Sequence, residues 1–146
     1  GDMPRALKHY AAVPSAANGF PYRLVSRRTR HRFNSTGGHL PALSARRTTN
    51  PAHIHPDDLA RIGALDGALV TIRSKVGEVH AIAKASPEMR PGVVSMAHAW
   101  GDAGSGPEDV AAIGCSTNRL VSETVDYDPV TGQSLQSAIP VAIAPA

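Results

Sequence analysis

Residues 50–102 read NPAHIHPDDLARIGALDGALVTIRSKVGEVHAIAKASPEMRPGVVSMAHAWGD, and the punctuation of this stretch decides the fold. Pro56 suits the first position of a helix, where its missing N–H would have no intrahelical partner anyway. Asp57 and Asp58 then fall in the first turn, where carboxylates favour the positive helix end. Leu59 and Ile62 share a face, and Gly63 stands where a left-handed stop is wanted. Asp66-Gly67 marks a turn. From Ala68 to Ser74 the chain alternates, with Leu69, Thr71 and Arg73 facing one way and Ala68, Val70, Ile72 and Ser74 the other. Gly77 interrupts, Val79 to Ala85 resumes the alternation, and Arg90-Pro91-Gly92 turns the chain into Val93-Val94-Ser95-Met96. This pattern predicts an antiparallel β unit carrying one short helix, as in small barrels.

On either side the signals are sparser. Residues 1–19, with Pro4, Pro14 and Asn18-Gly19, read as an arm or linker, and residues 20–146 as one domain. Phe20 to Ser26 is the first expected strand. Arg27 to Asn50 shows no helical or strand period, and a loop of that length in a compact domain is usually functional or disordered. Pro107-Glu108-Asp109 opens a short helical turn to Ile113. Ser116 to Val121 reads as a loop-to-strand step, Asp126 to Gln133 as turns, and Ala138 to Ala144 as the closing strand.

The charge is split. Met3 to Pro56 contains no Asp or Glu but nine Arg and Lys, while from Asp57 onward there are eleven acids against six bases; the formal net charge of +3 conceals this. So basic a half implies a phosphate-bearing or acidic partner. The loop from Arg27 to Asn50 adds Asn34, Ser35, Thr36 and Gly37-Gly38, donors suited to phosphates and heterocycle edges. No run reaches the ~20 apolar residues of a membrane span, and no leader is visible. A cytoplasmic chain is expected. It opens Gly1-Asp2-Met3 and is expected to be a piece of a longer protein.

Several chemistries are disfavoured. One cysteine, Cys115, excludes an internal disulfide or a multi-cysteine cluster. It has no sequence partner that would make it a nucleophile. His53, His55 and His98 match no familiar metal-ligand spacing, and no metal ligand is expected. Phosphate loops of the G-x-G-x-x-G and G-x-x-x-x-G-K-[ST] kinds do not occur. A basic nucleic-acid-binding domain is the obvious alternative. However, only Phe33 supplies an aromatic within the basic loop, so stacking platforms are missing. No nucleic-acid partner is expected.

The ordered series Leu24-Val25-Ser26-Arg27-Arg28, Asn34-Ser35, Asn50-Pro51, Ile54 to Gly63, Gly67 to Val70, Ser74, Gly77, Arg90 to Val94, His98-Ala99-Trp100-Gly101, Asn118 to Val121 and Asp128-Pro129 resembles a known family. It is similar to the molybdopterin-dinucleotide-binding domain, the C-terminal domain of the dimethyl-sulfoxide-reductase family of molybdenum or tungsten oxidoreductases. The resemblance runs over roughly residues 20 to 144. It implies a mainly β fold with short helices, a double-psi β-barrel of the formate dehydrogenase/aspartate decarboxylase-like type. It implies a bis-molybdopterin guanine dinucleotide cofactor whose molybdenum or tungsten is ligated outside this chain. By the same resemblance, Ser26, Arg27 and Arg28 with Asn34 and Ser35 line the cofactor. Asp58 lies near its nucleotide end, His98 and Asn118 face the pterin or its phosphates, and Gln133 is a further contact. Ser26-Arg27-Arg28 replaces the Thr-Gly-Arg-like turn of many members, which points to a sub-branch with an Arg-Arg and Asn-Ser signature.

The remaining domains of a parent oxidoreductase are then the expected partners, and no catalytic residue is assigned to this chain. A non-catalytic interaction module on the same barrel would not need the polar loops at Asn34-Ser35 and Asn118. A self-processing enzyme on that barrel would need a Gly-Ser cleavage site early in the barrel, and Gly104-Ser105 lies far from such a position.

Overall fold

A computed structural model describes residues 19–30, 33–36, 40–44, 49–101, 109–124, 127–128 and 130–146. The expected arm, and the Gly104-Ser105 and Pro107-Glu108 positions, lie outside these residues. Six strands form: β1 (Tyr22–Arg27), β2 (Ala52–Ile54), β3 (Leu69–Arg73), β4 (Glu78–Ala85), β5 (Val93–Ala97) and β6 (Ile139–Pro145). Among the described residues three short helices accompany them: α1 (Pro41–Ser44), α2 (Pro56–Ile62) and α3 (Val110–Ile113), together with a 3-10 turn over Thr117–Leu120.

The strands close into a barrel in the order β1-β5-β2-β4-β3-β6. Pairs β1·β5 and β2·β4 are parallel; the others are antiparallel. The successive strands β1 and β2 are thus separated by β5, and β4 and β5 by β2. Four of the five connections pass a strand lying between their ends, and only β3 and β4 are joined as neighbours, in keeping with a double-psi barrel. The alternation read from the sequence fills the interior: Leu24, Ile54, Val70, Ile72, Val94, Met96 and Val141 are fully buried. At about 25 cal/mol per Å² of apolar surface, such a contiguous core is the main favourable term of the fold.

The sequence reading needs three corrections. The stretch from β3 to β5 is not a plain antiparallel unit, because β2 inserts between β4 and β5. Residues 116–121 form no strand. There Arg119 N–H donates to Ser116 and Val121 N–H to Asn118, the i→i+3 pattern of a 3-10 turn. Within the stretch from Arg27 to Asn50, the described residues include α1 and a tight turn bridging Phe33 and Thr36.

Helix α2 obeys its punctuation. His55 caps it, Nδ1 accepting from Asp57 N–H at 3.2 Å, and Gly63 ends it with φ 73°. Asp58 is completely buried. One of its oxygens takes the Arg61 guanidinium, which also hydrogen-bonds Tyr22; Oδ2 accepts Gly92 N–H at 2.6 Å. Gly92 C=O in turn accepts from Arg23 N–H at 2.9 Å. This one carboxylate therefore locks the helix to the corner that launches β5 beside β1.

Asp58→Ala leaves the half-buried Gly92 N–H without its acceptor, and is expected to cost about 1–3 kcal/mol, read as a fall in the urea midpoint with an unchanged slope. Asp66 supplies a pH test. Its carboxylate accepts Ala85 N–H at 2.7 Å and stands 3.6 Å from Lys84 Nζ. The backbone bond chiefly, with Lys84 adding to it, holds its pKa below the ordinary value. The unfolded chain then takes up this proton at higher pH than the folded one. The contribution is complete above the ordinary carboxylate range and fades as pH falls through the lowered folded value. Asp66→Asn should lose stability relative to the parent chain at pH 7, and the gap should close in acid denaturation series below about pH 3.

Candidate functional site

The candidate site is a cleft of about 530 Å³ where loops leave one end of the barrel. Four segments supply the positions singled out in the sequence. The end of β1 gives Ser26 and Arg28, the turn at 33–36 gives Asn34 and Ser35, the end of β5 gives His98, and the 3-10 turn gives Asn118. Ser26 pairs with Met96 in the parallel β1·β5 register, and His98 N–H donates to Arg27 C=O at 3.2 Å. The two strand ends therefore open side by side, as parallel strands must.

The donor set is uniform in character. Hydroxyls, carboxamides, an imidazole and an exposed guanidinium line the cleft, and none of the ten described residues lining it is acidic. Such a surface suits phosphate oxygens and the polar edges of a heterocycle, and it places no carboxylate against an anion. In donor chemistry it fits a dinucleotide cofactor. Next to it a second recess of about 670 Å³ carries Asp128, Thr131 and Gln133. Gln136 and Ser137 line both, so the two are continuous. Asp128 Oδ1 shapes that second wall by accepting Val130 N–H at 2.7 Å and Thr131 N–H at 3.1 Å.

Not every expected residue meets at the cleft. Gln133 lies in the adjoining recess. Arg27 contributes its carbonyl to the seating of His98, while its side chain is not among the lining groups. Asp58 is buried in the scaffold beneath Gly92. Conversely, Ala99, Val121, Gln136 and Ser137 line the cleft without having been singled out. Backbone geometry marks one of them, Ala99. Among the described residues, positive φ outside glycine occurs at Asn34 (52°), Ala99 (68°) and Ala138 (56°). Asn34 and Ala99 line the cleft and Ala138 follows Ser137 directly. Residues with a Cβ pay a steric cost in this region, and such outliers gather at functional sites.

Among the described residues no group of three or more His, Cys, Asp or Glu could hold a metal ion. Cys115 is buried and its thiol is pushed up to about 12 by burial, far from the thiolate needed for nucleophilic or ligand chemistry. No helix among the described residues is long and apolar enough to cross a membrane.

Residues 22–138 match the family described as the molydopterin (molybdopterin) dinucleotide binding domain. The chain belongs to that family. Dimethyl sulfoxide reductase DmsA of Escherichia coli K12 is 36% identical to this molybdopterin-dinucleotide-binding domain over 84 residues, covering 57% of the chain and 10% of the reductase. Acetylene hydratase from Pelobacter acetylenicus shares the fold, with a TM-score of 0.75 at 17% identity over 93% of this chain and 20% of the hydratase. The domain thus spans a tenth to a fifth of the length of these larger proteins. It is the molybdopterin dinucleotide-binding domain of an oxidoreductase family, and its cofactor is of the molybdopterin type.

Ala99 offers a test of the strain at the rim. Ala99→Gly should raise stability by about 0.5–1 kcal/mol, because glycine occupies positive φ without the Cβ clash and gives back part of the gain as unfolded-state entropy; thermal melting checks the sign.

Proposed function

We propose that the cleft holds the dinucleotide portion of a bis-molybdopterin guanine dinucleotide cofactor whose molybdenum or tungsten is ligated by another domain of a parent oxidoreductase. The observation that carries this reading is convergence. Six positions chosen from the sequence, on four segments of the chain, line one cleft with no acidic group among its described lining residues. Arg28 is the exposed cation of the set and faces phosphate charge. Ser26, Asn34, Ser35 and Asn118 donate to phosphate oxygens and to polar atoms of the pterin or base. His98, held at its backbone by Arg27, presents a ring nitrogen at the junction of the β1 and β5 ends. Gln133, Gln136 and Ser137 extend the same polar wall into the adjoining recess.

When bound, the cofactor's metal supplies the redox chemistry. This chain's residues bind, orient and neutralise. They form part of an enzyme whose other domains close the opposite side of the cofactor. The two relatives carry names of unlike reactions, a reductase and a hydratase, so the substrate is decided outside the binding fold. The purely basic first part of the chain supports the same reading, since a pyrophosphate-linked dinucleotide concentrates negative charge where Arg28 stands.

Guanosine diphosphate is the accessible probe. Titrating it into the chain should move the amide and side-chain resonances of His98 and Asn118. Arg28→Ala and Asn118→Ala should each weaken binding roughly tenfold, the worth of one hydrogen bond to a charged group. Added salt should weaken it further. Resonance changes confined to residues outside the cleft would overturn the assignment. The chain alone should show no reductase turnover with any added molybdenum, because the metal's protein ligand is elsewhere.

A further inference from the structure

Behind the cleft, where no ligand would touch it, lies Asn50. Its carboxamide is buried, 3% exposed. Nδ2 donates to Ala97 C=O at 2.7 Å and to Cys115 C=O at 2.9 Å, and Oδ1 accepts Cys115 N–H at 2.9 Å. The partners lie 47 and 65 residues away in sequence. Both donors and the acceptor of the side chain are therefore engaged. Turning the amide over would set N–H against N–H and oxygen against two carbonyls, so its orientation follows from its neighbours.

These backbone groups are specific ones. Ala97 immediately precedes His98, and Cys115 lies three residues before Asn118. His98 and Asn118 stand on two walls of the cleft. The seam between the walls has no slack. A Cβ on Gly114 would sit 2.3 Å from Asn50 Oδ1, and one on Gly101 would sit 2.8 Å from the Cys115 main chain. Gly101 N–H donates across the same seam to Ile113 at 3.1 Å. A carboxamide is the side chain that can donate twice and accept once in one plane at this length; Asp cannot donate and Leu can do neither.

We propose that Asn50 is a positioning residue of the cofactor site: its carboxamide fixes the separation and facing of the His98 and Asn118 walls. The proposal rests on the reading of the cleft given above. It assigns Asn50 no contact with the cofactor. Its loss acts by letting the β5 end and the 114–118 segment drift apart while the barrel, closed elsewhere by its ladders, persists.

Cys115 makes the test direct, because it is the chain's one cysteine and its thiol is buried in this seam. The chain with Asn50→Ala, the milder Asn50→Ser, and Val70→Ala as a core control of comparable destabilisation would be compared well below their melting temperatures. Three readouts apply: the rate of Cys115 labelling by a thiol reagent, the resonances of His98 and Asn118, and guanosine diphosphate titration. The expected result is that both Asn50 variants raise labelling roughly tenfold or more, the signature of local opening, and shift His98 and Asn118 together. Nucleotide binding should weaken by a similar factor, and Val70→Ala should move none of these beyond its global effect. Labelling and resonances no different from Val70→Ala would overturn the proposal. Failure of both Asn50 variants to fold would also overturn it, making Asn50 a residue of barrel formation instead. If the unsubstituted chain leaves guanosine diphosphate unbound, the cofactor reading falls, while labelling and resonances still decide the role of Asn50.

Discussion

The cleft depends on one buried carboxamide. Asn50 sits just before β2 and joins the end of β5 to the segment leading into the 3-10 turn through three hydrogen bonds. Each backbone group it satisfies would otherwise be a buried polar atom costing about 1–3 kcal/mol. Cys115 belongs to none of the six strands and Ala97 is the last residue of β5, so at this seam a side chain supplies the hydrogen bonds. The fold thus places one polar residue where two loops must meet, and the loops carry the candidate ligand-binding groups.

Asp58 does comparable work on the scaffold. It ties α2 to Gly92, and Gly92 to β1 through Arg23. Without that corner, β5 would have no defined entry between β1 and β2. Crossed connections need such anchors. In an antiparallel meander the hairpin turn itself places the next strand, whereas here only β3 and β4 are joined that way. Asn50 and Asp58 serve the connections between other strands, while Leu24, Val70, Ile72 and Met96 serve the interior.

The split of charge follows the same division of labour. The acidic part of the chain uses several of its carboxylates internally: Asp58 on Gly92, Asp66 on Ala85, Asp128 on its own turn. The cleft has no acid among its described lining residues. Asp58 and Asp66 are taken up as hydrogen-bond acceptors elsewhere on the scaffold, while Asp128 shapes the adjoining recess.

Much was legible in the sequence, and for local reasons. Pro56, Asp57 and Gly63 announced α2 to the residue, because capping and left-handed stops depend on a few neighbouring positions. The period-2 alternation of residues 69–73 and 79–85 determined which side chains enter the core, since that follows from strand geometry alone. Six of the residues named through the resemblance, Ser26, Arg28, Asn34, Ser35, His98 and Asn118, line one cleft. What alternation cannot express is which strand accepts the ladder bonds, so the insertion of β2 between β4 and β5 was decided only in three dimensions. The same holds for the placement of Asp58 beneath Gly92, the positive φ at Ala99, and the joining of Asn50 to residues 97 and 115. Each is a contact between segments dozens of residues apart, made because buried backbone groups must find partners wherever closure of the barrel leaves them.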